Sequence, residues 1–161
     1  KNTARAFPVS PGAKPIGAGI VDANAAVVAA GGGGNPNPNP NPNAQSYSNG
    51  TDYAIPAYNA TGVTSSIVVS GRTGNAPSNA QVTFNVVHPA QGDLKVDLIA
   101  PDGSVYTLHN RTGGYVANLS GTVSVNLSSE ALNGTWKLRV ADNGFNAYFS
   151  PGRIDTWGVT F

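Results

Sequence analysis

Residues His88–Leu108 read HPAQGDLKVDLIAPDGSVYTL, and this stretch decides the fold. In its first half Leu94, Val96 and Leu98 alternate with Lys95 and Asp97, the two-residue period of a strand with one buried face. The run "SVYTLHN" that follows is a second, shorter strand candidate. Between them stands Pro101-Asp102-Gly103. Proline presets φ at the first turn position, aspartate bonds its own turn, and glycine accepts a positive φ. The reading is a β-hairpin.

The same alternation recurs on both sides of it. "QVTFNVVHP" places Val82, Phe84, Val86 and His88 on one face, and "TVSVNL" aligns Val123, Val125 and Leu127. "TWKLRVAD" sets Trp136, Leu138 and Val140 against Lys137 and Arg139, and "TWGVTF" aligns Trp157, Val159 and Phe161. "SSIVVS" is a further short candidate. The separators "AQGD", "LNGT" and "DNG" carry turn residues. Strands with a single apolar face must bury it against a second layer. The expected fold over 44–161 is therefore all-β, an antiparallel jelly-roll-like β-sandwich of about eight strands.

Composition narrows the function. Apolar residues make up 40% and charged residues only 11%, so Asn, Ser, Thr and Gly must supply the polar surface, as in many extracellular β proteins. Six basic residues over 44–161 (Arg72, Lys95, Arg111, Lys137, Arg139 and Arg153) face seven acidic ones, and the net charge of the chain is +1. No basic stripe exists, so nucleic acid is not the expected partner. With no cysteine, disulfides, zinc fingers and thiol catalysis are excluded. No apolar run approaches a membrane span and none forms a signal-peptide core, so no membrane partner is expected. Methionine is absent, including at position 1, which leads to the expectation that the chain is no direct translation product but a piece of a longer protein, excised, processed or made as such.

Ahead of the sandwich lie two different segments. Residues 31–43, GGGGNPNPNPNPN, form a flexible linker: the glycines loosen it, while each proline fixes φ, removes an amide donor and extends the asparagine before it. Residues 1–30 hold one helix candidate, capped by Asp22, continued by "ANAAVVAA" and stopped by Gly31. So short a helix is marginal alone in water. It reads as a remnant of something larger.

Three motifs in order carry a family resemblance: "HPAQGDLKVDLIAPDGSVYTL", then "LNGTWKLRVAD" (Leu132–Asp142), then "GRIDTWGVTF" (Gly152–Phe161). Together they resemble the P domain, or Homo B domain, that follows the catalytic domain of kexin- and furin-like convertases and of bacterial secreted proteases. The motif residues present are His88, Gly92, Asp93, Leu94, Pro101, Gly103, Gly134, Trp136, Asp142, Gly152 and Trp157, with Ile154 where the family has leucine. Similarly, "KNTARAF…GAGIVDANAAV" (Lys1–Val27) is similar to the last segment of subtilisin-like catalytic domains. The resemblance implies an order of catalytic remnant at 1–30, linker at 31–43 and P domain at 44–161. It further implies a secreted, bacterial setting. The family's serine segment and its Asp and His are not found in the chain, so no peptidase activity of its own is expected.

The motif residues each have two readings. Asp93 and Asp142 can accept backbone N–H groups at turns, or can hold Ca²⁺ between their oxygens. Trp136 and Trp157 fall on apolar faces and read as core, with a sugar-stacking platform as the alternative. His88 and His109 form no triad with a serine and an acid. Phe145, Tyr148 and Phe149 in "NGFNAYFSPG" either close the end of the sandwich or dock onto the catalytic domain or a protein substrate. The expected function is that of a non-catalytic P domain of a secreted subtilisin-like serine endopeptidase. It would stabilise the catalytic domain or aid its folding, and modulate substrate access. The alternative is a binding module anchoring a secreted enzyme to insoluble protein or polysaccharide.

Overall fold

Apolar alternation in the sequence becomes alternation of buried and exposed side chains in the fold. The computed structural model describes residues 44–144 and 152–161. The helix expected at 22–30, the linker 31–43 and the aromatics Phe145, Tyr148 and Phe149 lie outside the described residues.

Nine strands occur among them: β1 (Ser46–Asn49), β2 (Tyr53–Ile55), β3 (Asn59–Val69), β4 (Ala80–Val87), β5 (Leu94–Ile99), β6 (Val105–Asn110), β7 (Leu119–Val125), β8 (Gly134–Asp142) and β9 (Gly152–Thr160). A short 3₁₀ turn, Gln91–Asp93, leads into β5. One sheet has the order β1-β9-β4-β7, with β2 also pairing β9 beyond the end of β1. The other has the order β3-β8-β5-β6. Every pairing is antiparallel, and the result is the expected all-β, jelly-roll-like sandwich.

The core forms where the inner faces meet. Val82, Phe84, Val86, Trp157 and Val159 come from one sheet, and Ile67, Leu94, Val96, Leu98, Trp136, Leu138 and Val140 from the other. Each such side chain contributes on the order of 1.5–3 kcal/mol by leaving water. Each tryptophan ties the sheets together. The Trp136 ring packs on Phe161 at 5.0 Å between centroids, and Trp157 Nε1 donates to Ser65 Oγ at 2.8 Å. Trp136 Nε1 donates to the Leu132 carbonyl at 3.0 Å. Both indoles thus bury a satisfied N–H.

Asp97 is the residue whose surroundings differ most from a plain alternation. It points to the outer face of its sheet, opposite Leu94, Val96 and Leu98, yet is 1% exposed. Lys95 Nζ at 3.1 Å and Arg139 Nη2 at 2.7 Å cover its carboxylate, and Thr107 Oγ1 donates to it at 2.9 Å. Burial raises its pKa, but the hydrogen bonds from Arg139, Thr107 and Lys95 outweigh that and hold it below the usual aspartate range.

The sandwich has two poles. At one, Gln45 and Phe161 exchange backbone hydrogen bonds of 2.9 and 3.0 Å, so the two chain ends of the sandwich lie together. The Pro101–Gly103 turn also closes there, with Gly103 N–H donating to the Ala100 carbonyl at 3.0 Å. The other pole is where β4, β6 and β8 end and where β3, β5, β7 and β9 begin.

Candidate functional site

Most of the motif residues gather at that second pole. The His88 ring is buried at the end of β4. Its Nδ1 lies 2.8 Å from the Ala90 carbonyl oxygen, and its Nε2 lies 3.4 Å from Asp142 Oδ2 without a hydrogen bond. Asp142 ends β8, and its Oδ1 accepts the Gly144 N–H at 2.9 Å. Leu94, which opens β5, stands opposite Asp142 in the β5–β8 register. The Asn143 N–H donates to the Asp93 carbonyl at 2.8 Å, so the backbone of Asp93 holds the end of β8.

Close approach explains three glycines here. A Cβ on Gly144 would stand 2.5 Å from the Asp93 carboxyl carbon, and one on Gly152 would stand 2.6 Å from His88 Cδ2. Gly92 lies against Gly114, where a Cβ would come within 2.9 Å of the backbone. The remaining motif residues work elsewhere. Trp136 and Trp157 are core. Pro101 packs at the opposite pole against Gly134, whose φ is +137° and whose Cβ would meet the proline at 2.5 Å.

Asp142 thus serves its turn through the carboxylate, whereas Asp93 serves it through the backbone carbonyl, its carboxylate accepting no backbone N–H among the described residues. No group of three or more His, Cys, Asp or Glu side chains stands at metal-binding spacing among the described residues. His109 is likewise structural, its Nε2 lying 3.0 Å from the Gln91 carbonyl oxygen.

The sequence did not point to the backbone strain at this pole. Three non-glycine residues among those described have positive φ: Tyr58 (55°), Arg111 (51°) and Asn118 (57°). All three sit here. Tyr58 precedes Asn59, which pairs with Asp142; the Arg111 N–H donates to the Leu94 carbonyl; and the Asn118 N–H donates to the His88 carbonyl. A left-handed non-glycine residue costs on the order of 1 kcal/mol, and such strain concentrates at functional surfaces. Exposed apolar side chains are here too: Tyr58, Tyr115 and Val116. Tyr58 lines a shallow hollow of about 180 Å³ with Ala60, Asn143 and Gly144. Gly144 and Gly152, the described residues on either side of 145–151, both lie at this pole.

The Tyr115-Val116 loop is held by the 3₁₀ turn. The Gln91 N–H donates to the Val116 carbonyl at 2.9 Å, and the Gly92 N–H donates to the Gly114 carbonyl at 2.8 Å. Nothing periodic marks this loop in the sequence. Its glycine pair, Gly113-Gly114, was the available signal.

Comparison with known proteins agrees with this arrangement. The chain is 51% identical over 117 residues to leupeptin-inactivating enzyme 1 of Streptomyces exfoliatus, covering 73% of this chain and 26% of that protein. It is 44% identical over 117 residues to a transglutaminase-activating metalloprotease of Streptomyces mobaraensis, covering 71% of this chain and 15% of the relative. An extracellular basic protease of Dichelobacter nodosus is 34% identical over 151 residues, 91% of this chain and 24% of its own length. The chain thus spans about a quarter or less of these relatives. Among solved structures, a serine protease of Aeromonas sobria in complex with a chaperone shares the fold, with a TM-score of 0.57 at 17% identity, over 86% of this chain and 29% of that one. The family model for the proprotein convertase P-domain matches residues 77–161, more than half of the chain, and the chain belongs to that family.

Proposed function

We propose that this chain is the non-catalytic P domain of a secreted subtilisin-like serine endopeptidase, and that its His88 pole docks on the catalytic domain and stabilises it. The observation that carries the reading is the coincidence at one pole of three left-handed residues and of exposed Tyr58, Tyr115 and Val116. Burying such a patch on a partner surface is the physical source of the stabilisation.

The subtilisin-like part rests on residues 1–27 and not on the sandwich, since one relative is named a metalloprotease. Residues 44–161 are 73% of the chain, so the 91% matched by the Dichelobacter protease takes in part of 1–43. That supports continuity between the N-terminal segment and a protease. Ca²⁺ binding at Asp93 and Asp142 is the weaker of their two readings, because the Asp142 carboxylate already accepts the Gly144 N–H.

The tether fits this use. Gln45, at the start of the described residues, lies at the Phe161 pole, opposite the proposed docking surface. Nine residues of β9 span about 30 Å at roughly 3.3 Å each. The linker 31–43 reaches about 45 Å when extended. It can therefore run the length of the sandwich and still hold the pole at high effective concentration.

Deleting 44–161 from the parent protease tests the proposal: melting temperature and secreted yield should both fall. Unchanged stability and yield overturn it. The alternative, an anchoring module, draws on the same long tether, which a purely buttressing domain has less need of. Retention of 44–161 on insoluble collagen, chitin or cellulose would favour that alternative.

A further inference from the structure

We infer that the β7 edge is a self-association surface, pairing antiparallel with β7 of a second copy of this chain about a two-fold axis at Thr122. The inference is independent of the docking reading, which concerns the His88 pole.

An open strand edge offers unpaired N–H and C=O groups to any other strand, and proteins normally blunt such edges. Three of the four edges here are blunted. The β1/β2 edge is broken into strands of four and three residues. The β3 edge carries a register shift between Asn59 and Val63, with Gly62 at a φ of +76°, and farther along its Ser66 carbonyl is taken by Asn49 Nδ2 at 2.9 Å. The β6 edge has a shift opposite Val96/Asp97 and is bounded by Arg111.

β7 has none of these devices. It pairs only with β4 among the described residues, and its register from Ala80↔Val125 to Val86↔Leu119 runs without a break. From Leu119 to Leu127 the sequence LSGTVSVNL contains no charge and no proline. Ser120, Gly121, Thr122 and Ser124 are exposed, and Val123 and Val125 are only half-buried.

The strand is also self-complementary. Leu119, Gly121, Val123 and Val125 stand opposite the core residues of β4 and face inward, while Ser120, Thr122 and Ser124 face outward. A two-fold at Thr122 sets Thr122 against Thr122 and Ser120 against Ser124 in an outer row of hydroxyls. On the inner row it sets Gly121 against Val123 and Leu119 against Val125, covering the two half-buried valines. The contact is isologous and closes on itself, joining the β7-bearing sheets of two copies into one continuous sheet. One edge of seven residues makes less than a standard interface, so the dimer belongs to the weak class, observable at about 0.1–1 mM.

The chain has no cysteine, so single cysteines report the register directly in the full 161-residue chain. Residues directly opposite across an antiparallel pair fall within disulfide reach. T122C should cross-link to itself at least tenfold faster than S124C, whereas an S120C and S124C mixture should form the mixed disulfide. In sedimentation across concentration, T122K should weaken association at least tenfold. Mixing T122K with T122E should restore it, which a folding defect would not. Equal rates for T122C and S124C, or a T122K/T122E mixture no more associated than T122K alone, overturn the proposal. It is equally overturned if an extended uncharged peptide perturbs the β7 amides of a chain that stays monomeric, which would assign the edge to peptide capture.

Discussion

The imidazole Nε2 of His88 stands 3.4 Å from Asp142 Oδ2, in a buried contact that joins the end of one sheet to the end of the other. Asp142 also accepts the Gly144 N–H, so one carboxylate braces both a histidine and the turn that follows β8. Removing it strands a buried donor. Asp142→Ala should cost about 1–3 kcal/mol in urea denaturation. His88→Ala and the double variant complete a cycle whose interaction energy should exceed about 0.5 kcal/mol. Strict additivity would show that the two side chains are neighbours without coupling.

Asp97 sets an acid limit. Its folded pKa lies below its unfolded one, since Arg139, Thr107 and Lys95 together outweigh burial. The stabilisation is therefore complete above the ordinary aspartate range and is lost as pH falls through the lowered folded value. Melting temperature measured downward from pH 6 should fall below about pH 4 in the native chain. Asp97→Asn should start lower at pH 6 and fall less on acidification. Parallel curves for the two proteins would remove Asp97 from the acid response.

The bond from Trp157 Nε1 to Ser65 Oγ at 2.8 Å is wholly buried and links the sheets. Ser65→Ala should cost about 1–3 kcal/mol by leaving the indole N–H unsatisfied. Adding Trp157→Phe to Ser65→Ala should cost less than Trp157→Phe does alone, because no donor is then left without a partner. Chemical denaturation of the four proteins measures this.

Gly134 and Gly103 separate backbone strain from steric clash. Both have positive φ, +137° and +97°, but only Gly134 has Pro101 where a Cβ would go. Gly103→Ala should cost about 1–3 kcal/mol for strain alone. Gly134→Ala should cost clearly more, and equal losses in urea melts would mean that Pro101 simply moves aside.

With Asp142 holding its turn through the carboxylate and Asp93 only through its backbone carbonyl, chelation of calcium should leave the melting temperature unchanged. A fall of several degrees in calorimetry would move them to the role of ligands.

The parts of this fold that were legible in sequence are those where one strand face meets the core without interruption. Val82, Phe84 and Val86, or Trp136, Leu138 and Val140, repeat every second residue because their strands are straight and one-sided. The Pro101–Gly103 turn was legible because its chemistry is local. β1, β2 and the first half of β3 were not, since Ser, Asn, Gly and Thr dominate them and the bulge at Gly62 breaks the period. Asp97 was legible as an outward residue but not as a buried one. Its covering comes from Lys95 beside it and Arg139 on β8, forty-two positions away. The pole was half legible: its motif residues marked turns, while the strain at Tyr58, Arg111 and Asn118 depends on how separate strands end together.

The pairing of Gln45 with Phe161 also governs how the domain would carry force. A tether that turns back toward the docked pole pulls on β1 from its first residue and lifts it off β9 pair by pair. A tether pulled straight away from that pole would instead slide β1 along β9 and load all four of its pairs together. The folded-back path is the weaker one. A pull along that path would peel β1 first, releasing about 13 Å of chain at roughly 3.3 Å per residue, while the rest of the sandwich stays folded.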